Sequence, residues 1–166
     1  YGSKAMAPGT GFLLNNEMGD FNTWPGVTQG SSIGTEPNLI APGKRMLSSM
    51  TPTLVASNGK PIMAIGSPGG KTIINTVLRI VVNVIDFEMG LEDAISAPRF
   101  HHQWLPDRTS FERNFPQQSF DALIKMGHVL SDRRGIQGDA HSVFIFSDGA
   151  RMAVADPRRN GAAAAY

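Results

Sequence analysis

Between Pro61 and Ile85 the chain passes from an apolar run, Ile62-Met-Ala-Ile65, through Gly66-Ser-Pro-Gly-Gly70 and Lys71-Thr72 into a long apolar-rich segment. In that segment Ile73, Ile74, Val77, Leu78, Val81, Val82 and Ile85 recur at helical spacing. The order predicts a buried strand, a glycine turn and an amphipathic helix with a wide buried face, joined without a linker. No other stretch restricts the chain so much. A strand–turn–helix junction presents bare backbone N–H groups beside a helix N-terminus, where a negative charge is stabilised.

Two chemistries use that geometry. Cradling a phosphate requires G-x-x-x-x-G-K-[ST]. Here Lys71-Thr72 follow Gly70, but the position that must be glycine holds Ile65, and Pro68 removes an N–H donor. The spacing therefore argues against nucleotide binding. Adjacent glycines at 69 and 70 suit an oxyanion hole better, because two successive N–H groups can converge on one oxygen with no side chain between them. An ordinary glycine-rich helix cap has the same spacing, and the residues alone leave both readings open.

At 166 residues the chain is long enough for one domain with a real core, and 18 Gly and 11 Pro make it loop-rich. A net charge of +1 with no long basic run argues against nucleic acid as a partner. Cysteine is absent, which excludes disulfides, thiolate chemistry and cysteine metal sites. No membrane span is expected: the longest apolar candidate, residues 73–87, is broken by Asn75, Arg79, Asn83 and Asp86. No signal peptide is visible, and the opening Tyr1 suggests a processed or truncated product.

Elsewhere, Thr53 to Ile65 reads as a hairpin turning at Asn58-Gly59, and His141–Phe146 with Ala150–Ala155 as a second one across Asp148-Gly149. Leu91–Ala97 is predicted to be a short helix, Arg99–Trp104 a strand, and Gln117–Met126 a helix ending at Gly127. Residues 22–45 show no periodicity. A loop that long inside a compact domain is usually functional, often a lid over a site. Hairpins beside amphipathic helices give an α+β fold, antiparallel sheets covered by helices.

Five segments then carry a resemblance. They are Leu13-Leu-Asn-Asn-Glu-Met-Gly-Asp-Phe21, Pro42-Gly-Lys-Arg-Met-Leu-Ser-Ser-Met-Thr-Pro-Thr53, Gly66-Ser-Pro-Gly-Gly70, Ala97-Pro-Arg-Phe-His-His-Gln-Trp-Leu-Pro-Asp107 and Ala155-Asp-Pro-Arg-Arg159. In this order and in one register they resemble the small subunit of γ-glutamyltranspeptidase over essentially the whole chain, residues 1–166 as a single domain. The resemblance implies an N-terminal-nucleophile hydrolase fold, an αββα sandwich of which this chain is one half. It also implies a self-cleaving precursor whose new N-terminal threonine attacks γ-glutamyl amides such as glutathione. The γ-glutamyl-enzyme then hands its acyl group to water or to an amino acid or peptide. A large subunit from the same precursor is the implied partner in a heterodimer, no cofactor is needed, and a bacterial member is expected to be periplasmic or secreted.

Carried over residue by residue, Gly69 and Gly70 match the oxyanion-hole pair. Ser48 and Ser49 match the serines that donate to the substrate's α-carboxylate, as short uncharged hydroxyls can. Glu17 and Asp20 match the acidic positions that take the α-ammonium, because two carboxylates three residues apart can converge on one cation. Read without the family, Ser48-Ser49 is a turn or cap before a strand, and Glu17 with Asp20 a solvated acidic loop.

His101 and His102, adjacent in a predicted strand, point to opposite faces and cannot chelate one metal together. With His128 and His141 distant in sequence, no metal site is expected. Asp156-Pro-Arg-Arg159 reads as a terminal salt-bridge cluster, and Arg99 as a residue that packs or pairs within the domain.

The chain departs from the family pattern at its start. Tyr1 aligns downstream of the family's threonine, and Thr10 and Thr23 are internal, so this polypeptide alone is expected to be inactive, with an open sheet edge and exposed apolar surface. Between Val27 and Ile40 there is no aromatic of the kind that gates many relatives' sites; Trp24 either substitutes or packs under the loop. Two rivals stay open. A glutaryl or cephalosporin acylase of the same fold has no use for a carboxylate at Asp20, since its substrate lacks the ammonium. The other is a non-catalytic γ-glutamyl-binding module.

Overall fold

The computed structural model describes residues 2–22, 24–26, 34–131 and 135–165. The chain divides into two compact units, Tyr1–Ser49 and Met50–Tyr166.

The described residues of the first unit form turns and isolated bridges rather than longer helices or strands. Met6 and Leu13 meet in an isolated antiparallel bridge, and Asn22 and Leu39 in a parallel one. Two short 3-10 turns, Glu17–Asp20 and Glu36–Asn38, lie beside the second bridge in sequence. The segment expected to be structureless, 22–45, thus contains a turn and a bridge in its described part. Its central residues 27–33, part of the stretch that lacks a gating aromatic, lie outside the described residues, as does Thr23. Trp24 is 67% exposed.

In the second unit the predicted elements fall largely where the periodicity puts them. Strands β1 (Thr53–Ser57) and β2 (Lys60–Gly66) form a hairpin. Its turn places Asn58 at φ 50° and Gly59 at φ 75°. Asparagine and glycine tolerate that left-handed pair, whose twist matches the strands it joins. Helix α1 (Ile73–Ile85) and the short α2 (Leu91–Ser96) follow. Next come β3 (Phe100–His101), β4 (Ser110–Phe111) and α3 (Gln117–Lys125). Finally β5 (His141–Ile145) and β6 (Arg151–Ala155) make the second hairpin.

The four longer strands form one antiparallel sheet in the order β1-β2-β5-β6. Its inner rows, Val55–Met63–Phe144 and Ile65–Ser142–Val154, alternate with an outer row of Leu54, Ala64, Val143 and Ala153. The inner side chains meet α1 and α2 in a core of Met63, Ile65, Val77, Ile80, Leu91, Ala94, Ile95 and Ala140. The arrangement is the expected α+β one, an antiparallel sheet with helices packed on it. The outer row stays apolar, with Leu54 75% exposed.

Two expectations need correction. The strand predicted over Arg99–Trp104 is only Phe100–His101, because its partner β4 is two residues long and the chain turns beyond it. The buried face of α1 is also narrower than the apolar positions suggested. Ile73, Thr76, Val77, Ile80 and Asn83 are buried, whereas Ile74, Leu78 and Ile85 are exposed. A helix lying on one sheet buries a single stripe, and residues rotated about 100° away from it face outward.

Candidate active site

Strand β2 runs through the core and ends at Gly66, so the turn 67–70 is delivered directly from the sheet to the start of α1. Gly70–Thr72 form a single 3-10 turn leading into that helix. Gly69 sits at φ 149° and Gly70 at φ 55°, backbone regions open to glycine and strained for other residues. A Cβ on Gly69 would lie 2.6 Å from Thr72 Oγ1 and 3.3 Å from Gly138 Cα. The Gly69 carbonyl is engaged by Thr72, whose main-chain N–H donates at 3.2 Å and whose hydroxyl donates at 3.0 Å. Among the described residues no hydrogen bond uses the amide of Gly69 or Gly70 as donor. The two N–H groups are therefore available to an oxygen from outside the turn.

A brace holds the turn from behind. Ser67 Oγ donates to the Pro68 carbonyl at 2.7 Å and accepts the Asp139 N–H at 2.9 Å. Gly138 makes this approach possible: a Cβ there would sit 2.6 Å from Thr76 Oγ1 and 2.9 Å from Ser67 Oγ. Ser67 and Gly138 escaped the sequence reading because they lie more than seventy residues apart and nothing local links them.

The acidic and hydroxyl positions gather in the first unit. Glu17 and Asp20 occupy the two ends of one 3-10 turn, and the Asn15 side chain accepts the Glu17 N–H at 3.0 Å. The Glu17 carboxyl is pushed above its ordinary value, first by a side-chain hydrogen bond with Asp20, then by desolvation and by the Asp20 charge. Ser49 Oγ donates to Asp20 Oδ2 at 3.3 Å, bringing together positions 29 residues apart in sequence. Ser48 precedes it on the exposed side of the same segment. Carboxylate and hydroxyl side by side can take the two ends of one zwitterion, the first accepting from an ammonium and the second donating to a carboxylate.

The remaining candidates are structural. Arg99 and Asp156 are fully buried and paired at 2.7 Å. Arg158 bonds Glu112 at 2.6 Å and Asp156 at 3.0 Å, and it caps the carbonyls of Ile95 and Ala97. The pairing expected of Arg99 and of Asp156-Pro-Arg-Arg159 is thus present as one network. His101 contacts Gln103 at 3.1 Å and His102 contacts Asp107 at 3.0 Å, each on its own partner. A cleft of about 620 Å³ lies beside the ion network, and one of about 800 Å³ lies over the outer sheet face and reaches Gly66 and His141. Neither is lined by Gly69 or Gly70. Among the described residues no helix is long and apolar enough to cross a membrane.

Comparison with known proteins adds a family. The profile described as gamma-glutamyltranspeptidase matches residues 1–166. The glutathione hydrolase proenzyme of Escherichia coli K12 is 41% identical over 159 residues, covering 95% of this chain and 27% of its own length. The chain thus spans about a quarter of the length of that relative. The solved γ-glutamyltranspeptidase of Pseudomonas nitroreducens, complexed with L-DON, superposes with a TM-score of 0.86 at 38% identity, covering 99% of this chain and 87% of that one. A cephalosporin acylase from Bacillus halodurans superposes at 0.81 with 25% identity, over 99% of this chain and 30% of its own. The sheet and helices described above are those of the N-terminal-nucleophile hydrolase fold.

Proposed function

The chain belongs to the γ-glutamyltranspeptidase family, and from that premise we propose that residues 1–166 form the small-subunit portion of an enzyme that cleaves γ-glutamyl amides such as glutathione. The reaction passes through a γ-glutamyl-enzyme, whose acyl group goes to water or to the amine of an amino acid or peptide. The Gly69 and Gly70 amides stabilise the oxyanion of each tetrahedral intermediate. Asp20, with Glu17, takes the substrate's α-ammonium, while Ser48 and Ser49 donate to its α-carboxylate. The attacking hydroxyl is assigned to no residue of this chain. We assign the rest of the assembly to a large subunit from the same precursor, and its place to the periplasm or the exterior of a bacterial cell.

The observation that carries this reading is the contact between Ser49 and Asp20, which sets a carboxylate able to accept from an ammonium beside a hydroxyl whose proton turns to a substrate carboxylate when the ammonium takes its place on Asp20. A glutaryl chain offers no ammonium, so a carboxylate at position 20 is wasted on it. The test uses the complete precursor-derived enzyme with γ-glutamyl- and glutaryl-p-nitroanilide. We expect kcat/KM to favour the γ-glutamyl substrate by about 10⁴-fold, the scale on which a site built to hydrogen-bond a polar group rejects an analogue lacking it. Preference for the glutaryl substrate would replace this reading with the acylase one. Binding of γ-glutamyl compounds without turnover would replace it with a non-catalytic module.

A further inference from the structure

Asn38 is 5% exposed in a unit whose apolar side chains are mostly solvent-facing. It closes the 3-10 turn Glu36–Asn38. A buried primary amide is stable only when both its ends are satisfied, and the partners of this one are informative. Its Nδ2 donates to the Asp20 carbonyl at 2.7 Å, with a longer contact to Asn22 Oδ1 at 3.4 Å. Its Oδ1 accepts the Leu47 N–H at 3.2 Å. Its own carbonyl accepts the Asn22 N–H at 2.8 Å.

One side chain therefore bonds the main chain of the acidic turn with its donor end and the main chain leading into Ser48-Ser49 with its acceptor end. The direct contact between those segments, Ser49 to Asp20, is a longer 3.3 Å side-chain bond. A bond between two side chains constrains only their rotamers, whereas two main-chain bonds to one buried, planar amide tie the backbones themselves.

We propose that Asn38 is a positioning residue that sets the spacing between the Asp20 carboxylate and the Ser48-Ser49 hydroxyls, and so determines how well the site recognises an α-amino-acid head. This rests on the head-group roles assigned above. The amide is chemically specific for the task. Aspartate keeps the acceptor for Leu47 but turns a repelling oxygen toward the Asp20 carbonyl. Alanine removes both bonds. Because the head group is gripped alike in the ground and transition states, its loss appears in KM rather than kcat.

The experiment compares Asn38→Ala, the isosteric Asn38→Asp and Asp20→Ala in the complete precursor-derived enzyme. Each is assayed on γ-glutamyl- and glutaryl-p-nitroanilide, with Tm recorded alongside. Both Asn38 variants should raise KM for the γ-glutamyl substrate about tenfold or more while kcat stays within about twofold, with a clearly smaller KM rise for the glutaryl substrate, which keeps the carboxylate for Ser48-Ser49 but offers no ammonium to Asp20. Equal losses on both substrates, or a lowered Tm with unchanged KM, would reduce Asn38 to a structural residue. Failure of Asn38→Asp to accumulate as folded protein would do the same. Asp20→Ala separates the two levels. If it leaves γ-glutamyl KM unchanged, the head-group reading itself falls and this inference with it. If it raises KM while the Asn38 variants do not, only the inference falls.

Discussion

At Gly69 two constraints coincide: a φ of 149°, and a would-be Cβ 3.3 Å from the Gly138 main chain. At Gly70 only the first applies, with φ 55° and open space around it. Alanine at 70 strains the backbone by about 1–2 kcal/mol and leaves the turn in place. Alanine at 69 must push the turn away from its brace and re-aim both amides. In the complete enzyme, Gly69→Ala is therefore expected to lower kcat about a hundredfold with little change in KM, and Gly70→Ala much less. Single-turnover kinetics read this directly; equal effects at both positions would contradict it. The glycine pair was legible because a backbone demand leaves its mark in residue type. Asn38, Ser67 and Gly138 were not, because their roles are contacts with residues 9 to 72 positions away.

Among the elements, α1 shows how far periodicity reaches. Its position, length and apolar stripe follow from the spacing, but Ile74 and Ile80 look alike in the sequence. Packing separates them: Ile80 is fully buried against the sheet, and Ile74 is exposed. Ile80→Ala should destabilise by about 2–5 kcal/mol through lost burial and a cavity. Ile74→Ala should fall within about 0.5 kcal/mol of the parent. Denaturant unfolding of the two variants checks the difference. The hairpins were equally legible, since Asn58-Gly59 and Asp148-Gly149 mark turns locally. The strand after Arg99 was misjudged in length because pairing, not propensity, ends it.

Over the whole second unit, the Arg99–Asp156–Arg158–Glu112 network ties α2, β4 and the end of β6 to residues 137–140. Burial alone pushes the Glu112 and Asp156 carboxyls up. It is outweighed at Glu112 by Arg158 and the N–H groups of Gln137 and Arg99, and at Asp156 by the Ala140 and Arg158 N–H groups and by Arg99. Both carboxyls end below their ordinary values of 4.5 and 3.8. A depressed carboxyl binds its proton more weakly when folded than when unfolded. The stability it contributes is therefore present above the ordinary value and lost as pH falls through the folded one. Tm should hold from neutrality to about pH 5 and then fall steeply in acid. Asp156→Asn should cost about 3–5 kcal/mol at neutral pH, because Arg99 is left buried without its counter-charge, and should flatten the acid limb. Thermal unfolding from pH 7 to pH 2 measures both, and a parallel acid limb in the variant would count against the network as its source.

Sequence alone determined the strand–turn–helix junction, both hairpins, the helical stripe and the family, because these are written in local periods, positive-φ residues and ordered motifs. Tertiary structure decided which apolar face is covered, how two arginines and two carboxylates share one buried site, and that Asn38 bridges the acidic and serine segments. The reason is physical: local backbone preference acts over a few residues, whereas a buried polar group is satisfied by whatever partner the folded chain brings to it.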